Sequence, residues 1–574
     1  MEARQQPIGY SSLEDRKSTG AHYTPNILAD FVAKKIVRAW PRKPRSHRIR
    51  VLDPAVGDGE LLLSILEELS EQGCSDIEVL GFDTDRGSVE LATARVKASF
   101  PQISLRLMWQ DFLDFALMYG SGDLFSTVFE PCDLIIANPP YVRTQIMGAE
   151  KARVLARQFG LSGRVDLYYA FILGIARLLQ PGGIAGIIVS NRFMTTKSGA
   201  CVRRSIIEEF DVLHVWDLGD TRLFEAAVLP AVLLVKRKNG ESYPTKPKFT
   251  SIYSTENTPS VRCCSDIMEA LSESGIVELG DGQRYLVQHG RLDHGESLDG
   301  VWRIATETSD KWLKTVRTCT FRTFGDVGKI RVGVKTTADK VFIRSDWDDL
   351  PEEERPELLR SLITHHVARR FKAFQPDKQR QILYTHRVVE GRRMAVDLDE
   401  FPRTARYLDR YRSVLEQREY VLKAGRKWFE IWVPHDPDVW VQPKIVFRDI
   451  SEKPTFWIDL SGSVVNGDCY WLTCKEPQQT DLLWLALAVG NSSFVETFYD
   501  HRFNNKLYAG RRRFMTQYVE RFPLPDTKTE LSERIIRVAK EIYDLIPSPK
   551  AEDMEKELDQ LVWQAFGFAN RRSR

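Results

Sequence analysis

The sequence lacks the features that mark a membrane protein, a zinc protein or a general polycation. No stretch approaches the roughly eighteen consecutive apolar residues of a membrane span, and residues 1–17 are polar. The eight cysteines form no CxxC pair and have no histidine at zinc-finger spacing. Lys plus Arg (81) nearly equal Asp plus Glu (79), so the formal net charge is +2. We expect a cytoplasmic protein with reduced thiols, no metal site and no membrane contact.

The length of 574 residues exceeds what one hydrophobic core normally supports. With 43% hydrophobic and 28% charged residues, the composition excludes a largely disordered chain. The balanced charge does not exclude a nucleic-acid site, because binding depends on where basic residues cluster. We expect roughly two to four folded units.

One pattern repeats between about residues 48 and 240: an aliphatic run, a polar or glycine-rich turn, and an amphipathic stretch. Because the runs are continuously apolar, they predict parallel strands buried on both faces. The predicted strands are 50–52, 77–82, 103–108, 134–137, 184–189, 212–216 and 231–235, and the predicted helices lie near 59–71, 87–99, 167–179 and 197–210. This pattern indicates a doubly wound α/β domain, whose ligands bind at the carboxyl ends of the strands.

Four polar residues each follow one of the first four predicted strands. They are Asp53, Asp83, Asp111 and Asn138, at intervals of 27 to 30 residues. Such an interval is one strand-helix-strand unit, so the spacing predicts that all four lie at one edge of the sheet. An isolated Asp at a strand end is more often a helix cap, but the four together and in order favour a cofactor site.

The turn after the first strand combines a carboxylate with glycines: Asp53-Pro54-Ala55-Val56-Gly57-Asp58-Gly59. Glycines let the backbone approach a ligand closely, while Asp53 repels phosphate and attracts a cation. The third glycine of a dinucleotide fingerprint and the Gly-Lys-Ser/Thr ending of a P-loop are both missing. The turn therefore suits a nucleoside with an ammonium group, such as S-adenosylmethionine.

Two of the other polar turns suit the rest of such a nucleoside. Asp83 is placed to accept hydrogen bonds from both ribose hydroxyls, the usual task of an acid after the second strand. Asp111 can accept from an adenine amino group, and Phe112 can cover the adenine ring.

The string Asn138-Pro139-Pro140-Tyr141 ends the fourth predicted strand. Two prolines cannot continue a β-ladder, and they fix the backbone that holds Asn138 and Tyr141. A rigid turn with a capping Asn would need neither the aromatic beside the amide nor the neighbouring cofactor loop. We interpret the tetrapeptide as the catalytic element.

This tetrapeptide and the order of the motifs around it resemble the gamma-class adenine-N6 DNA methyltransferases, the TaqI-like and Eco57I-like type II modification methylases. In that family a cofactor-closing motif precedes the glycine loop, and here Thr19-Gly20-Ala21-His22-Tyr23-Thr24-Pro25 precedes Asp53. Residues 166–171, 178–183 and 223–228 match later motifs of the family. The resemblance implies a class I, Rossmann-like, seven-stranded methyltransferase domain that uses S-adenosylmethionine.

The resemblance also implies the residues of the site. Cofactor contacts are expected from Thr19, Tyr23, Thr24, Pro25, Asp53, Pro54, Ala55, Gly57, Asp83, Asp111, Phe112 and Asn138. Catalytic contacts are expected from Asn138, Pro139, Pro140, Tyr141 and Phe224. In that interpretation the amide of Asn138 and the carbonyl of Pro139 accept the two N–H bonds of adenine N6. Tyr141 and Phe224 then pack against a base that has been flipped out of the duplex.

Other interpretations of the tetrapeptide remain. Cytosine N4 is also an exocyclic amine, although its enzymes more often resemble a Ser-Pro-Pro-Tyr pattern, so Asn138 favours adenine. A cytosine-C5 enzyme needs a nucleophilic cysteine, and Cys132 precedes the fourth strand, which predicts a position at the far end of the sheet. A DNA-recognition subunit with a vestigial catalytic half is a third hypothesis, against which the intact motifs argue.

The second half of the chain resembles the specificity domain of the same family. The similar stretches are 327–343, 443–450 and 521–525, and basic residues alternate with aromatics between them. Phosphate binding is the natural function of such patches. We expect double-stranded DNA as the partner, with contacts at Arg143, Lys335, Arg511, Arg512 and Arg513.

These observations predict four parts: a catalytic domain (1–245), a linker (246–300), a mixed α+β target-recognition domain (301–526) and a C-terminal helical hairpin (527–574). The Lys-, Ser-, Thr- and Pro-rich stretch 239–259 suggests the linker. Only 18 residues precede Thr19, too few for a nuclease domain. We therefore expect a monomeric modification methyltransferase whose cognate restriction endonuclease is a separate protein.

Overall fold

A computed structural model of the chain describes residues 23–41, 48–120, 129–141, 149–161, 166–224, 229–240, 246–256, 262–295, 297–374, 376–476, 478–503 and 511–568. The chain divides after Glu307 into two compact units, here called unit 1 and unit 2. Over these ranges, no helix is both long enough and apolar enough to cross a bilayer.

Unit 1 is built on one large sheet with helices on both faces. Its strands are β1 (Ile49–Asp53), β2 (Ile77–Asp83), β3 (Ser104–Trp109), β4 (Cys132–Ala137), β5 (Leu179–Ser190), β6 (Phe210–Asp217), β7 (Pro230–Arg237), β8 (Lys248–Ser254), β9 (Arg262–Cys264), β10 (Gly275–Leu279), β11 (Arg284–Asp293) and β12 (Arg303–Ala305). Its helices are α1 (Asn26–Ala39), α2 (Glu60–Glu71), α3 (Arg86–Ser99), α4 (Phe112–Gly120), α5 (Ala149–Gln158), α6 (Leu167–Leu178), α7 (Ala200–Glu209) and α8 (Ile267–Ala270).

The order of strands in this sheet is β3-β2-β1-β4-β5-β7-β6-β8-β11-β10-β9, and β12 pairs with β11. Strands β1 to β5 pair in parallel, as predicted, so the doubly wound architecture is confirmed. The structure differs at β7, which runs antiparallel to both β5 and β6. Neighbouring antiparallel strands need no crossover helix, and an apolar run does not record the direction of its strand.

The continuous apolar runs are explained by burial on both faces of the sheet. On β5, Ile187 packs into the core on the α4 and α6 side, while the next residue, Ile188, packs into the core on the α1 and α2 side. Gly186 allows α1 to lie directly on β5, because an added Cβ would stand 2.7 Å from side-chain atoms of Val32 and Ile36.

The stretch 246–300, predicted as a linker, instead extends the sheet of unit 1. Strand β8 pairs in parallel with β6, and β11 pairs antiparallel with β8 over seven residues. Side chains of this stretch, such as Ile252, Val277 and Val287, lie in the same core as α1 and α2. Its polar residues include Thr250 and Ser251, which are buried within β8, so composition alone does not separate such a strand from a linker.

Unit 2 is a mixed α+β assembly of short strands and helices. Its strands are β13 (Arg322–Thr323), β14 (Ile330–Val332), β15 (Ile343–Arg344), β16 (Leu359–Ile363), β17 (Gln381–Leu383), β18 (His386–Val389), β19 (Arg392–Ala395), β20 (Lys444–Arg448), β21 (Ile450–Ser451), β22 (Phe456–Asp459), β23 (Val464–Val465), β24 (Cys469–Thr473), β25 (Arg512–Arg513) and β26 (Pro523–Leu524). Its helices are α9 (Glu307–Cys319), α10 (Phe324–Val327), α11 (Asp339–Phe342), α12 (Pro402–Asp409), α13 (Arg412–Glu416), α14 (Glu419–Lys423), α15 (Thr480–Gly490), α16 (Ser493–Phe503), α17 (Thr516–Val519), α18 (Glu530–Leu545) and α19 (Pro549–Ala565).

The four-stranded sheet β14-β24-β20-β22 separates two hydrophobic cores in unit 2. The predicted C-terminal hairpin exists as α18 and α19, but it belongs to unit 2 and is not a separate part. Ile535, Leu558 and Trp563 lie in the same core as α15 and α16. Asp559 also accepts hydrogen bonds from the backbone N–H and hydroxyl of Ser493, both at 2.6 Å, at the start of α16.

Candidate active site

The strand register brings the four predicted polar residues to one edge of the sheet in unit 1. Asp53 pairs with Gly81, two residues before Asp83, and Asp83 pairs with Trp109, two residues before Asp111. On the other side of β1, Leu52 pairs with Ile135, three residues before Asn138. The polar residues thus follow adjacent strands in the order β3, β2, β1, β4.

The glycine loop after β1 has backbone angles that favour glycine. Gly57 and Gly59 adopt φ values of +53° and +84°. A Cβ at Gly59 would lie 3.0 Å from the Cβ of Ala92, so this glycine permits close packing of α2 and α3. A Cβ at Gly57 would meet the ring of Tyr23 at 3.9 Å. The loop therefore has an open backbone face with an aromatic side chain beside it.

Asp53 carries a buried carboxylate that the protein only half satisfies. Its Oδ1 accepts from the N–H of Ala55 at 2.9 Å, while Oδ2 is buried without a hydrogen-bond partner in the described part of the chain. Burial, reinforced by the charges of Asp83 and Asp58, raises the pKa of Asp53 to about 8 against the lowering effect of the Ala55 N–H. A cation placed beside Oδ2 would favour the ionised form.

The carboxylate of Asp83 connects the first two turns. It accepts from the N–H of Gly57 at 2.9 Å and from the N–H of Asp85 at 2.8 Å. Burial nevertheless raises the pKa of Asp83, since the cost of removing the charge from water exceeds the stabilisation from these two donors.

Asp111 and Phe112 lie at the same edge in different environments. Asp111 is half-buried and accepts from the N–H of Leu113 at 2.8 Å, so it acts as a cap of α4. Phe112 is buried, stacked on Phe171 with ring centroids 5.3 Å apart and in edge contact with Phe82. Both residues lie at this edge of the sheet, and the Phe112 side chain is also part of the hydrophobic core.

Asn138 is held from two sides at the end of β4. Its Nδ2 donates to the hydroxyl of Thr24 at 3.0 Å, and the hydroxyl of Tyr141 donates to its Oδ1 at 3.0 Å. Pro139 is buried, and Tyr141 makes an edge contact with Tyr168 at 6.0 Å. Burial raises the pKa of the Tyr141 phenol. The structure thus brings Thr24, of the motif before the glycine loop, into direct contact with the tetrapeptide.

A second group of polar residues at this edge was missed from the sequence. Asn191, after β5, donates to Asp217 Oδ1 at 2.9 Å, and Tyr253, at the end of β8, donates to Asp217 Oδ2 at 2.7 Å. Asp220 accepts from the backbone N–H of Ser254 at 2.8 Å. Asn191 follows a predicted strand, so its position could have indicated a site residue. Tyr253 gave no such signal, because it lies in the stretch that was predicted to be a linker.

This group anchors the chain that follows β6 and leads to Phe224. Phe224 is buried in the core on the α1 and α2 side of the sheet, whereas Tyr141 packs on the opposite side. Cys132 is the first residue of β4 and fully buried, and burial raises the pKa of its thiol. As the sequence predicted, it lies at the end of the strand opposite Asn138.

Some predicted residues fall outside the described ranges: Thr19 and Arg143, together with 225–228 of the last family motif. The predicted DNA contacts in unit 2 differ among themselves. Lys335 and Arg511 are exposed. Arg512 is buried and forms hydrogen bonds of 2.8 Å to both carboxylate oxygens of Asp500, and Arg513 pairs with Asp449 at 3.0 Å. These ion pairs hold Arg512 and Arg513 against acidic side chains of unit 2.

Comparison with known proteins identifies the family. The profile of the Eco57I restriction-modification methylases matches residues 79–224, and that of the TaqI-like C-terminal specificity domain matches residues 387–524. Type II methyltransferase M.BanIII of Aneurinibacillus aneurinilyticus is 38% identical over 571 residues, which is 97% of this chain and 98% of its own length. The chain belongs to the type II DNA methyltransferases. The predicted resemblance to the Eco57I-like and TaqI-like type II modification methylases is thereby confirmed.

Solved structures support the fold of this methyltransferase. A nuclease-deletion mutant of the type ISP restriction-modification enzyme LlaGI, solved with a DNA substrate mimic, aligns with TM-score 0.54 and 11% identity, over 92% of this chain and 47% of that one. The DrdV–DNA complex aligns with TM-score 0.52 and 10% identity, over 94% and 60%. The methyltransferase spans about half and three fifths of these two chains.

The methyltransferase uses S-adenosylmethionine and acts on DNA as part of a restriction-modification system. The residues at the edge fit this cofactor. Asp53 presents a buried oxygen without a partner in the described ranges, which suits an ammonium group, and the Gly57 backbone is open to close approach. No group of three or more His, Cys, Asp or Glu in those ranges could hold a metal ion.

Proposed function

We propose that the enzyme methylates N6 of adenine in double-stranded DNA at a specific site. The observation that carries this proposal is the amide of Asn138, held between Thr24 and Tyr141 at the edge that also carries the Asp53 loop. An amide at this point offers a carbonyl acceptor to an exocyclic amine. The tetrapeptide with Asn in first position favours adenine over cytosine N4.

The chain's own residues make the target nitrogen more nucleophilic. The lone pair of an aromatic amine is delocalised into its ring. Two fixed acceptors, Asn138 Oδ1 and the backbone carbonyl of Pro139, would draw the N–H bonds out of the ring plane, so that the lone pair is directed at the donor carbon. A carbonyl oxygen has two lone pairs, so Asn138 Oδ1 can share its contact with Tyr141 or exchange it for the substrate. The contribution is positioning and electrostatic, with no covalent enzyme intermediate.

A base inside a duplex cannot reach this edge, so the proposal includes base flipping. Tyr141 and Phe224, which pack on opposite sides of the sheet, would contact the flipped base from two directions. Stacking and hydrogen bonds at the edge of the base would offset part of the cost of unstacking it.

The cofactor supplies an electrophilic methyl group. We propose that Asp53 pairs with its ammonium group, that Gly57 and Ala55 line its amino-acid part, and that Asp83 accepts from its ribose. Asp111 and Phe112 would border the adenine. Tyr23, Thr24 and Pro25 precede α1 beside the loop and would close the site over the cofactor.

The direct test is transfer of a labelled methyl group to duplex DNA, followed by digestion and separation of nucleosides. We expect the label in N6-methyl-2′-deoxyadenosine. Label in N4-methylcytosine would replace adenine by cytosine as the target, and no label would favour a recognition subunit with an inactive catalytic half.

The role of Asn138 is tested with Asn138→Ala. Loss of one acceptor that acts in the transition state should lower kcat at least about 100-fold, while the Kd for S-adenosylmethionine should change less than about tenfold. Tyr141→Phe is a matched control, because it removes the hydroxyl that contacts Asn138 but keeps the ring. Loss of both transfer and cofactor binding in Asn138→Ala would indicate a structural role for Asn138.

We further propose that the enzyme is a cytoplasmic monomer that modifies DNA next to a separate restriction endonuclease. The separate endonuclease is supported by M.BanIII, which is named as a methyltransferase and matches this chain over nearly its whole length. Sedimentation analysis of the purified protein tests the monomeric state.

A further inference from the structure

Unit 2 contains a cavity of about 660 Å³ that catalysis does not use. It is lined by residues 334–341, by Val414 and Arg418, and by Asn466, Gly467 and Asp468. Its volume lies within the range of about 300–1,000 Å³ that is typical of ligand pockets.

The backbone of one cavity wall is fixed from three sides. The N–H of Val334 donates to Val465 O at 2.7 Å, and Lys335 exchanges backbone hydrogen bonds of 3.1 and 3.0 Å with Val433. The guanidinium of Arg418, which is buried, donates to Thr336 O at 2.9 Å. Such support presents the polar side chains of the wall on a rigid scaffold, as specific binding requires.

The same wall contains strained and closely packed backbone. Thr337 adopts φ +60°, which is unusual for a β-branched residue and tends to persist at functional sites. A Cβ at Gly467 would lie 2.7 Å from Val334 O and 3.0 Å from Lys335 Cγ. Glycine at this position therefore lets the stem of Lys335 lie against the loop that carries Asn466 and Asp468.

The polar groups of the cavity are chemically mixed. Lys335 offers donors, the Asn466 amide offers a donor and an acceptor, and Asp468 offers acceptors. Asp468 Oδ2 is paired with His365 Nδ1 at 2.5 Å, and its Oδ1 is buried without a partner in the described ranges. A phosphate site would be purely basic, because a carboxylate repels phosphate. Lys, Asn and Asp are instead the side chains that read guanine, adenine and cytosine edges in the major groove.

We propose that this cavity reads bases of the target sequence, and that Lys335, Asn466 and Asp468 determine specificity there. The proposal rests on the proposed function as a site-specific DNA methyltransferase. Asn466 and Asp468 fall within the match to the TaqI-like specificity domain, 387–524, whereas Lys335 lies outside it. Segment 334–341 therefore belongs to the recognition surface although the family profile does not include it.

The test maps methylated sites for the full-length protein and two matched variants. Lys335→Met removes the charge but keeps the stem that lies on Gly467, and Lys329→Met makes the same change at an exposed lysine outside the cavity. Each protein methylates a library of random duplexes, and modified bases are identified by sequencing. We expect Lys335→Met to accept more than one base where the unaltered protein accepts one. Discrimination there should fall about five- to 150-fold, while Lys329→Met keeps the original site.

Three outcomes would overturn the proposal. The first is an unchanged site preference in Lys335→Met, and the second is an unchanged site preference in a third variant, Asn466→Ala. The third is weaker methylation of all sequences by Lys335→Met with a smaller salt dependence, which indicates a phosphate contact. Melting temperatures show that each variant is folded. If the unaltered protein methylates cytosine, the proposal of adenine as the target is wrong. The site preferences of the variants would still show whether the cavity reads bases.

Discussion

In the proposed cofactor site, the single carboxylate of Asp53 would link the stability of this enzyme to cofactor binding. Its folded-state pKa, raised to about 8 by burial and by neighbouring acids, exceeds the value of about 4 expected in the unfolded chain. Between these values the folded state holds a proton that the unfolded state has lost, so this group's stabilising contribution is present below about pH 4 and is lost as pH rises towards 8. In the cofactor-free protein, ionisation of the buried Asp53 therefore lowers the stability of the fold. A cation bound beside Asp53 would remove this effect.

A pH dependence of cofactor affinity follows. Binding of an ammonium group next to Asp53 favours the carboxylate, so it should release a proton when the free side chain is protonated. Affinity for S-adenosylmethionine should therefore rise by up to about tenfold per pH unit between about pH 5.5 and 7, where the cofactor's own amino group stays charged. Titration calorimetry in two buffers of different ionisation enthalpy measures the number of protons released on binding.

Asp53→Asn is the matched variant for this prediction. It should bind the cofactor more weakly and lose most of the rise with pH. An equal rise in Asp53→Asn would assign the titration to another group, such as Asp83 or Asp58, whose pKa values are also raised by burial.

At the scale of elements, close packing of α1 on β5 positions the residues that we propose to close over the cofactor. Thr24 and Pro25 directly precede α1, and Thr24 contacts Asn138. At Gly186 the helix lies directly on the strand, since an added Cβ would stand 2.7 Å from side-chain atoms of Val32 and Ile36. The helix could not keep its position over a larger residue.

Gly186→Ala should therefore destabilise unit 1 by about 1–3 kcal/mol, the usual cost of overpacking a core. The control is Gly280→Ala, where an added Cβ meets nothing within 4 Å, and it should change stability by less than about 0.5 kcal/mol. Urea denaturation gives both values. Equal effects of the two substitutions would show that α1 can move away from β5 without cost.

Strand formation in the stretch 246–300 also depends on contacts between elements. Two facts fix it: backbone pairing of β8 with β6 and burial of residues such as Ile252 in an existing core. Tyr253 and Ser254 then reach Asp217 and Asp220 at the active-site edge. A stretch that composition assigns to a linker thus supports the loop that leads to Phe224.

At the scale of the whole molecule, the net charge of +2 conceals local concentrations of charge. Acidic residues cluster at the cofactor edge of unit 1, and several basic residues predicted to meet DNA are located in unit 2. Within the triplet 511–513 the structure separates two kinds of arginine: Arg511 is exposed, whereas Arg512 is buried against Asp500 and Glu496.

The two arginines should therefore respond differently to alanine substitution. Arg512→Ala leaves acidic partners without their cation and should destabilise unit 2 by about 3 kcal/mol or more. Arg511→Ala should leave the melting temperature unchanged but weaken DNA binding and reduce the salt slope of log K by about 1. Thermal melts and binding at several salt concentrations check both. A stable Arg512→Ala variant with weakened DNA binding would contradict the structural role of Arg512.

The sequence by itself determined the order of strands and turns in the catalytic half, because buried parallel strands require continuous apolar runs and local turn chemistry. It also determined that Asp53, Asp83, Asp111 and Asn138 share an edge, since equal spacing along a doubly wound fold has that consequence. Tertiary structure decided the direction of β7, the recruitment of 246–300 into the sheet and the burial of Arg512. These depend on partners distant in the chain, which no local pattern records. The contact between Thr24 and Asn138, 114 residues apart, belongs to the same class.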